Sequence, residues 1–178
     1  MATDNKEVWI NAGYEIFALK GHGGLKIEPL ARKVGKSKSS FYHHFADLDV
    51  FIDVLLQRHI QQSYLMADKE QKANTVDPEL IHILVEHKHD LLFNRQLRIN
   101  QNIKAYADIL IRSNKIVGDV FVYVWVKDLN LTLSQKQLEG IFTLALENFY
   151  LQINADNLCY DWLSAYFAGL KKIAQNFV

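Results

Sequence analysis

The stretch that determines the fold is short and reads LARKVGKSKSSFYHHF over residues 30–45. Within it, Ala31, Gly35 and Phe41 have the spacing Ala-x3-Gly-x5-Phe. In two short helices joined by a tight turn, the alanine lets the helices cross closely and the glycine adopts the left-handed backbone of the turn. The phenylalanine anchors the second helix to the core and leaves its opposite side outward. The spacing therefore predicts a helix-turn-helix in which Phe41 is buried.

Helix start and stop signals surround this motif. Pro29 is acceptable only in the first turn of a helix, where its missing N–H leaves no hydrogen bond unmade. Ser37 and Asp47 are good N-caps for the two helices that follow. The glycines within residues 21–24 interrupt the helix that precedes. Four helices are predicted, with approximate bounds Asp4–Lys20, Ile27–Val34, Ser37–Phe45 and Asp47–Lys69.

The composition excludes several classes of protein. Glycine and proline number 8 and 2 in 178 residues, too few for the turns of an all-β fold, and a hydrophobic share of 49% is too high for a disordered chain. The longest apolar run, Val120–Val126, is too short to span a membrane. Its β-branched residues would suit a strand, but we expect a helix because no partner strand is predicted. The N-terminus lacks the apolar core of a signal peptide. A single cysteine, Cys159, cannot close an intrachain disulfide. An all-α, cytoplasmic protein is expected.

Charge is balanced over the whole chain, with 20 basic and 20 acidic residues, but it is not evenly distributed. The segment Lys26–Lys38 contains five cations and one acid, Glu28. A local basic patch on a neutral body is typical of a small element that binds nucleic acid. A solvated helix face would carry the same charges, so the patch alone does not decide between the two interpretations.

The side chains around Phe41 have the chemistry that reads a DNA duplex. If Phe41 points inward, hydroxyls, an ammonium group and imidazoles face outward, and such groups hydrogen-bond phosphate oxygens and base edges. Ser37 leaves the N-terminus of the second helix open to a phosphate. The predicted outward residues are Lys38, Ser39, Ser40, Tyr42, His43 and His44.

A wider pattern extends the motif in both directions. It consists of three segments: Trp9-Ile10-x-Ala12-x-x-Glu15-Ile16-Phe17-x-x-x-Gly21, Ile27-x-x-Leu30-Ala31 and Gly35-Lys-Ser-Lys-Ser-Ser-Phe-Tyr-His-His-Phe45. Together, over about residues 6–56 and without insertion or deletion, they resemble the N-terminal domain of TetR-family transcriptional regulators. The resemblance implies a three-helix DNA-binding domain over residues 1–46 and a helical regulatory and dimerisation domain over residues 47–178.

The same resemblance implies a function. A homodimeric repressor would bind a near-palindromic operator in double-stranded DNA and would be released by a small-molecule effector. Tyr42 and His44 would contact phosphates, whereas Lys38, Ser39 and His43 would lie nearest the base edges. Such a regulator would be neither an enzyme nor a membrane protein, and it would need no cofactor.

Three departures from the family pattern affect the predicted DNA contacts. Leu25 and Lys26 stand where the family usually has a capping threonine, so Lys26 can reach a phosphate but cannot cap the helix in the same way. Lys36 replaces an apolar residue after the turn glycine and adds charge. Leu48, between two aspartates, replaces a common lysine, and carboxylates near DNA would weaken binding. The alternative is a helical protein-interaction module whose helix-turn-helix no longer binds DNA.

Candidate effector and metal ligands are weaker signals. His59, Arg95, Arg98, Tyr106 and Trp125 are polar or aromatic residues of the helical region that could line an effector site, but core and surface positions explain them equally well. The histidines at 82, 87 and 89 do not share one helix face, which favours structural roles over a metal site. Because no catalytic motif is found, an enzyme in the helical region is the weakest alternative.

The last two predicted helices carry more apolar residues than one packing contact requires. We expect them to pair with the same helices of a second chain in a four-helix bundle, although packing within the monomer is the alternative. Two recognition helices about 34 Å apart would then read successive major grooves. The predicted interface residues are Phe142, Phe149, Tyr150, Trp162, Tyr166 and Phe167.

Overall fold

A computed structural model describes residues 5–129 and 134–175, and every regular element in those ranges is helical, which confirms the all-α prediction. A single π-helical turn, Val76–Leu80, precedes the fifth helix. The helices are α1 Asn5–Gly24, α2 Ile27–Val34, α3 Lys38–His44, α4 Leu48–Glu70, α5 Ile81–Glu86, α6 Lys88–Ile99, α7 Lys104–Leu129, α8 Gln135–Gln152 and α9 Tyr160–Gln175.

The chain divides into two compact units. Unit 1 consists of Met1–Gln62 with His89–Ser113, and unit 2 consists of Ser63–Lys88 with Asn114–Val178. Helices α4 and α7 therefore each contribute a first part to unit 1 and a second part to unit 2. This division describes packing, and the functional domains predicted from the sequence, residues 1–46 and 47–178, stay a prediction.

An aromatic cluster forms the core of unit 1 around α3. The Phe41 side chain is 0% exposed, as the sequence predicted. Its ring centroid lies 5.4 Å from that of Trp9 in α1 and 5.3 Å from that of Phe51 in α4, and both contacts are edge-to-face. Such pairs stabilise a core beyond the area they bury. The third helix is thus fixed to α1 and α4 through one side chain.

The helix ends near the motif agree closely with the sequence signals. Helix α2 has the predicted bounds, and Asp47 caps α4 by accepting a 2.8 Å hydrogen bond from the Val50 N–H. The glycine break is also present, but it lies within α1: the helix continues to Gly24 across a kink at Gly21, where φ is 68°. A side chain there would be strained by this φ and would also meet Gln96.

In unit 2, Asp77, Pro78 and Glu79 form a sequence typical of a helix start, but the Asp77 side chain has another role. The Asp77 carboxylate accepts hydrogen bonds of 2.5 Å from the hydroxyls of Tyr160 and Ser164 in α9, so it ties α9 to the π-helical turn and caps no helix. The β-branched run Val120–Val126 is helical, as expected, within α7. The side chains of Ser134 and Gln137 form a capping box that begins α8.

Candidate nucleic-acid interface

The turn between α2 and α3 is built on the backbone of Gly35. Its φ of 70° and ψ of 30° are left-handed, and no other heavy atom lies within 4 Å of where a side chain would begin. The glycine is therefore required by backbone conformation and not by crowding. Its N–H donates to the Arg32 carbonyl at 3.2 Å, while the Lys36 N–H donates to the Ala31 carbonyl at 3.1 Å. These bonds satisfy the last carbonyls of α2.

Helix α3 begins with a side-chain cap. The Ser37 hydroxyl oxygen accepts a 3.2 Å hydrogen bond from the Ser40 N–H, which also donates to the Ser37 carbonyl at 3.0 Å. Helix α3 has only seven residues, so a single cap satisfies a large share of its free N–H groups. The cap positions the side chains that follow.

Loss of this cap should destabilise the protein measurably. We expect Ser37→Ala to lower the free energy of unfolding by about 1 kcal/mol, because the Ser40 N–H loses its side-chain acceptor and keeps only the Ser37 carbonyl. Urea denaturation followed by circular dichroism measures the change. Ser39→Ala is the matched control, since Ser39 is exposed on the same helix and its hydroxyl makes no hydrogen bond among the described residues. Equal losses for both serines would contradict the capping role.

The outer face of α3 has the predicted orientation. Tyr42 is 54% exposed, directly beside the fully buried Phe41. The residues predicted to contact DNA fall into two groups. The exposed ones are Lys26, Ser37, Lys38, Ser39, Tyr42 and His43, and the half-buried ones are Lys36, Ser40 and His44. The structure thus presents these side chains together, and their role in binding DNA stays a prediction.

Two cations of the basic segment are paired with acids of the same unit. Lys38 Nζ lies 3.2 Å from a carboxylate oxygen of Glu28, and Lys33 Nζ lies 2.9 Å from one of Glu15. All four side chains are at least 40% exposed, so these pairs contribute little stability and a phosphate can replace the acid at small cost. Lys38 is consequently available to DNA despite its partner.

The departures from the family pattern have visible consequences. Lys26 is the N-cap of α2 but makes no side-chain capping bond, which leaves its ammonium group free to extend outward. Of the two aspartates that flank Leu48, Asp47 is engaged as the cap of α4, whereas Asp49 is exposed and carries its charge outward. Asp47 is exposed as well, so both carboxylates lie at the surface beside the motif, where negative charge would oppose DNA.

His59, a predicted effector ligand, is a core residue of unit 1. It is buried, its Nδ1 lies 2.8 Å from the Tyr14 hydroxyl, and its ring stacks on Phe93 at 4.6 Å. The same hydroxyl donates to Asp90 at 2.7 Å, so the His59 ring can donate to the tyrosine oxygen. Burial lowers the pKa of His59 to about 4, so the ring is neutral at neutral pH. Sequence analysis missed Tyr14 and Asp90, because only packing brings them to His59.

The other predicted effector residues are divided between the two units. Tyr106 is buried in unit 1, where its hydroxyl lies 2.7 Å from Nδ1 of His22. Burial, with the nearby negative charges of two aspartates, raises the pKa of Tyr106 to about 12. Arg95 and Arg98 are half-buried in the same unit, whereas Trp125 is buried in unit 2. An effector site made of these residues stays a prediction.

The predicted dimer residues of α8 and α9 pack largely against each other within one chain. Phe149, Tyr150 and Phe167 are buried, which assigns them to the core of unit 2 and leaves little of their surface for a partner. Tyr166 stacks on Trp162 at 5.2 Å and donates a 3.0 Å hydrogen bond to the Ala145 carbonyl. Phe142, Trp162 and Tyr166 are half-buried. Among the side chains of the two helices that the structure describes, the exposed large apolar ones are Leu144, Leu151 and Ile173.

The histidines at 82, 87 and 89 have separate surroundings. His82 packs on Tyr160 with ring centroids 5.0 Å apart, His87 is buried and His89 is exposed. Within residues 5–129 and 134–175, no three His, Cys, Asp or Glu side chains are grouped to hold a metal ion. None of the helices in that part of the chain is long and apolar enough to cross a membrane.

Comparison with solved structures shows what this chain resembles in fold. The multidrug-binding protein EbrR, crystallised with proflavin, is 16% identical and superimposes with a TM-score of 0.56, covering 98% of this chain and 100% of that one. A protein from Mesorhizobium loti MAFF303099 assigned to the TetR family of transcriptional regulators is 15% identical, with a TM-score of 0.56 over 95% of this chain and 94% of that one. No family model and no curated protein matches the sequence. The chain therefore has the fold of TetR-family regulators.

Proposed function

We propose that this protein, which has the fold of TetR-family regulators, is a DNA-binding transcriptional regulator that acts as a homodimeric repressor on a near-palindromic operator. Residues 1–46 form its DNA-binding domain and residues 47–178 its regulatory and dimerisation domain. It acts in the cytoplasm and catalyses no reaction. One observation supports the proposal most strongly: Phe41 is fully buried, so the basic and hydroxyl-bearing face of α3 is directed outward.

Release by a small-molecule effector is the regulatory part of the proposal. The similar protein EbrR binds proflavin, and such binding supports an effector for this chain as well. An effector can release DNA only if it binds the released conformation more tightly than the DNA-bound one.

The proposed homodimer pairs α8 and α9 with their copies in a second chain. Leu144 and Leu151 are exposed on α8 and Ile173 on α9, and apolar side chains of this size favour burial against a partner. Half-buried Phe142, Trp162 and Tyr166 would border the contact. A two-fold axis would then place two copies of α3 about 34 Å apart, the spacing of successive major grooves on one face of DNA.

Salt dependence of DNA binding tests the function. Selection of bound genomic fragments by the purified protein first supplies the operator. We expect affinity for it to fall steeply as salt rises, because each neutralised phosphate releases counterions. Lys38→Ala should weaken binding about tenfold and make the salt dependence shallower by the contribution of about one phosphate. Tyr42→Phe should weaken binding while leaving stability unchanged, since only an exposed hydroxyl is removed.

A matched control separates local contacts from overall charge. Lys115→Ala removes another exposed cation from α7, outside the proposed interface, and should leave affinity unchanged. A flat salt dependence, or equal effects of the two lysine substitutions, would contradict DNA binding. Such a result would favour the alternative of a protein-interaction module, for which the exposed Asp49 beside the motif is the specific observation.

A further inference from the structure

Glu28 is the single acid in the basic segment Lys26–Lys38, and its side chain is exposed. It lies in the first turn of α2, where its Oε2 atom is 3.2 Å from Nζ of Lys38 in α3. Both side chains are more than half exposed. The ion pair therefore connects the two helices of the motif at the surface and presents a hydrogen-bond acceptor beside a donor.

Stability does not explain why the acid faces α3. An exposed ion pair contributes little to folding, because water screens both charges. The partial positive charge at the N-terminus of α2 favours an acid in the first turn, but it would favour one directed away from Lys38 equally. Beside DNA, phosphates repel the carboxylate of Glu28. The acid gains energy from DNA only if a hydrogen-bond donor of the duplex lies within its reach.

In the major groove such donors are the exocyclic amino groups of the bases, N4 of cytosine and N6 of adenine. In a G·C pair the cytosine N4 group donates to guanine O6, so this donor and this acceptor lie about 3 Å apart. The carboxylate oxygen of Glu28 and the ammonium nitrogen of Lys38 have nearly the same separation. The carboxylate can therefore accept from N4 while the ammonium group donates to O6.

An A·T pair matches the two charges less well. It also has a donor, N6 of adenine, beside an acceptor, O4 of thymine, but the thymine methyl group lies next to that acceptor. Guanine instead has two adjacent acceptors, N7 and O6, which suit the compact ammonium group of a lysine. Contact with a G·C pair also keeps Lys38 beside Glu28, whereas a phosphate would replace the acid.

We propose that Glu28 and Lys38 together read one G·C pair in each half of the operator, with Glu28 as the specificity-determining residue for the cytosine. The inference rests on the proposed DNA binding and adds a residue of α2 to the base contacts expected from α3. Removal of the acid should have two opposite effects. Affinity for unrelated DNA rises because a repulsion is lost, whereas discrimination falls because the acceptor for N4 is lost.

Selection from a pool of random-sequence duplexes with the full-length protein tests this assignment. We expect the parent protein to prefer G·C at one position of each half-site, with any other pair there binding at least tenfold more weakly. Glu28→Ala should reduce that factor to about threefold or less, because only the attraction of Lys38 to guanine is left. Lys38→Ala should weaken the preference at the same position.

Methylation of that cytosine at N4 tests the contact at the level of one atom. In a paired cytosine the methyl group replaces the N–H that points into the major groove. Binding of the parent protein to the methylated site should fall at least tenfold, and binding of Glu28→Ala should not change. Glu15→Ala is the matched control and should behave as the parent does, since Glu15 forms another exposed ion pair in unit 1, with Lys33, and neither residue is a predicted DNA contact.

Three outcomes would overturn the assignment. Glu28→Ala could bind all sequences more tightly with unchanged base preferences, as expected of an acid that only repels phosphates. N4 methylation could weaken the parent and Glu28→Ala equally, or the two substitutions could affect different positions of the site. Thermal melts verify that the variants are folded. Salt dependence is measured separately, so a protein that binds DNA without this preference retains the regulatory function and loses only this base contact.

Discussion

Phe41→Ala is expected to lower the free energy of unfolding by about 3–5 kcal/mol, the usual cost of removing a buried aromatic ring. The ring is 0% exposed and has three aromatic neighbours with centroids 5.1–5.4 Å away: Trp9, Phe45 and Phe51. Its removal leaves a cavity between α1, α3 and α4 and also removes the edge-to-face contacts with Trp9 and Phe51. Urea denaturation followed by circular dichroism measures the loss, and operator binding should fall with it.

The adjacent residue provides the matched control. Tyr42→Ala removes a ring of similar size that is 54% exposed, so unfolding should change by no more than about 1 kcal/mol. Operator binding should nevertheless weaken strongly, because the proposed phosphate contact is gone. Comparison of the two variants distinguishes a residue that stabilises α3 from a residue proposed to contact DNA. If Tyr42→Ala destabilised the protein as much as Phe41→Ala, the assignment of inner and outer faces of α3 would be wrong.

The sequence predicted the helix-turn-helix accurately because its signals are local. Gly35 must adopt a left-handed backbone, Ser37 must accept a bond from its own helix, and Asp47 does the same for α4. Each requirement is met within a few residues of chain, so it is visible without knowledge of the rest. The outward orientation of Tyr42 then follows from the burial of one neighbouring side chain.

The network around His59 could not be predicted in the same way. Tyr14 and Asp90 are separated by 76 positions, and no periodic pattern connects either residue with His59. Only the packing of α1, α4 and α6 in unit 1 brings them together. The sequence was consistent with either a core residue or an effector ligand at His59. Its burial and its hydrogen bond with the Tyr14 hydroxyl support the core role.

The apolar stripes of α8 and α9 show a related limit. Periodicity identifies the residues that need to be covered, but it does not say whether the same chain or a second one covers them. Phe149 and Phe167 prove to be covered within the chain, whereas Leu144 and Leu151 are exposed. Glu70 is the opposite case, because an acid near a helix end looks like an ordinary surface residue and its burial became evident only from the fold.

The burial of Glu70 predicts how stability depends on pH. Folding raises the pKa of this carboxyl group from 4.5 to about 8, so between these values the folded protein keeps a proton that the unfolded chain has lost. The unfolded state binds fewer protons, and the free energy of unfolding must therefore fall as pH rises through this window, by about 1.4 kcal/mol per pH unit at most. Below pH 4.5 the effect is absent, and above pH 8 it is complete.

Glu70→Gln should abolish this dependence, since an amide does not titrate. We expect the variant to resemble the parent protein near pH 4 and to be more stable by several kcal/mol near pH 8, as measured by urea denaturation across the range. Glu86→Gln is the control: the hydrogen bond and charge of Lys69 lower the pKa of Glu86, so its removal should act weakly and in the opposite direction. Parallel pH profiles for the parent and Glu70→Gln would show that Glu70 is ionised in the folded protein.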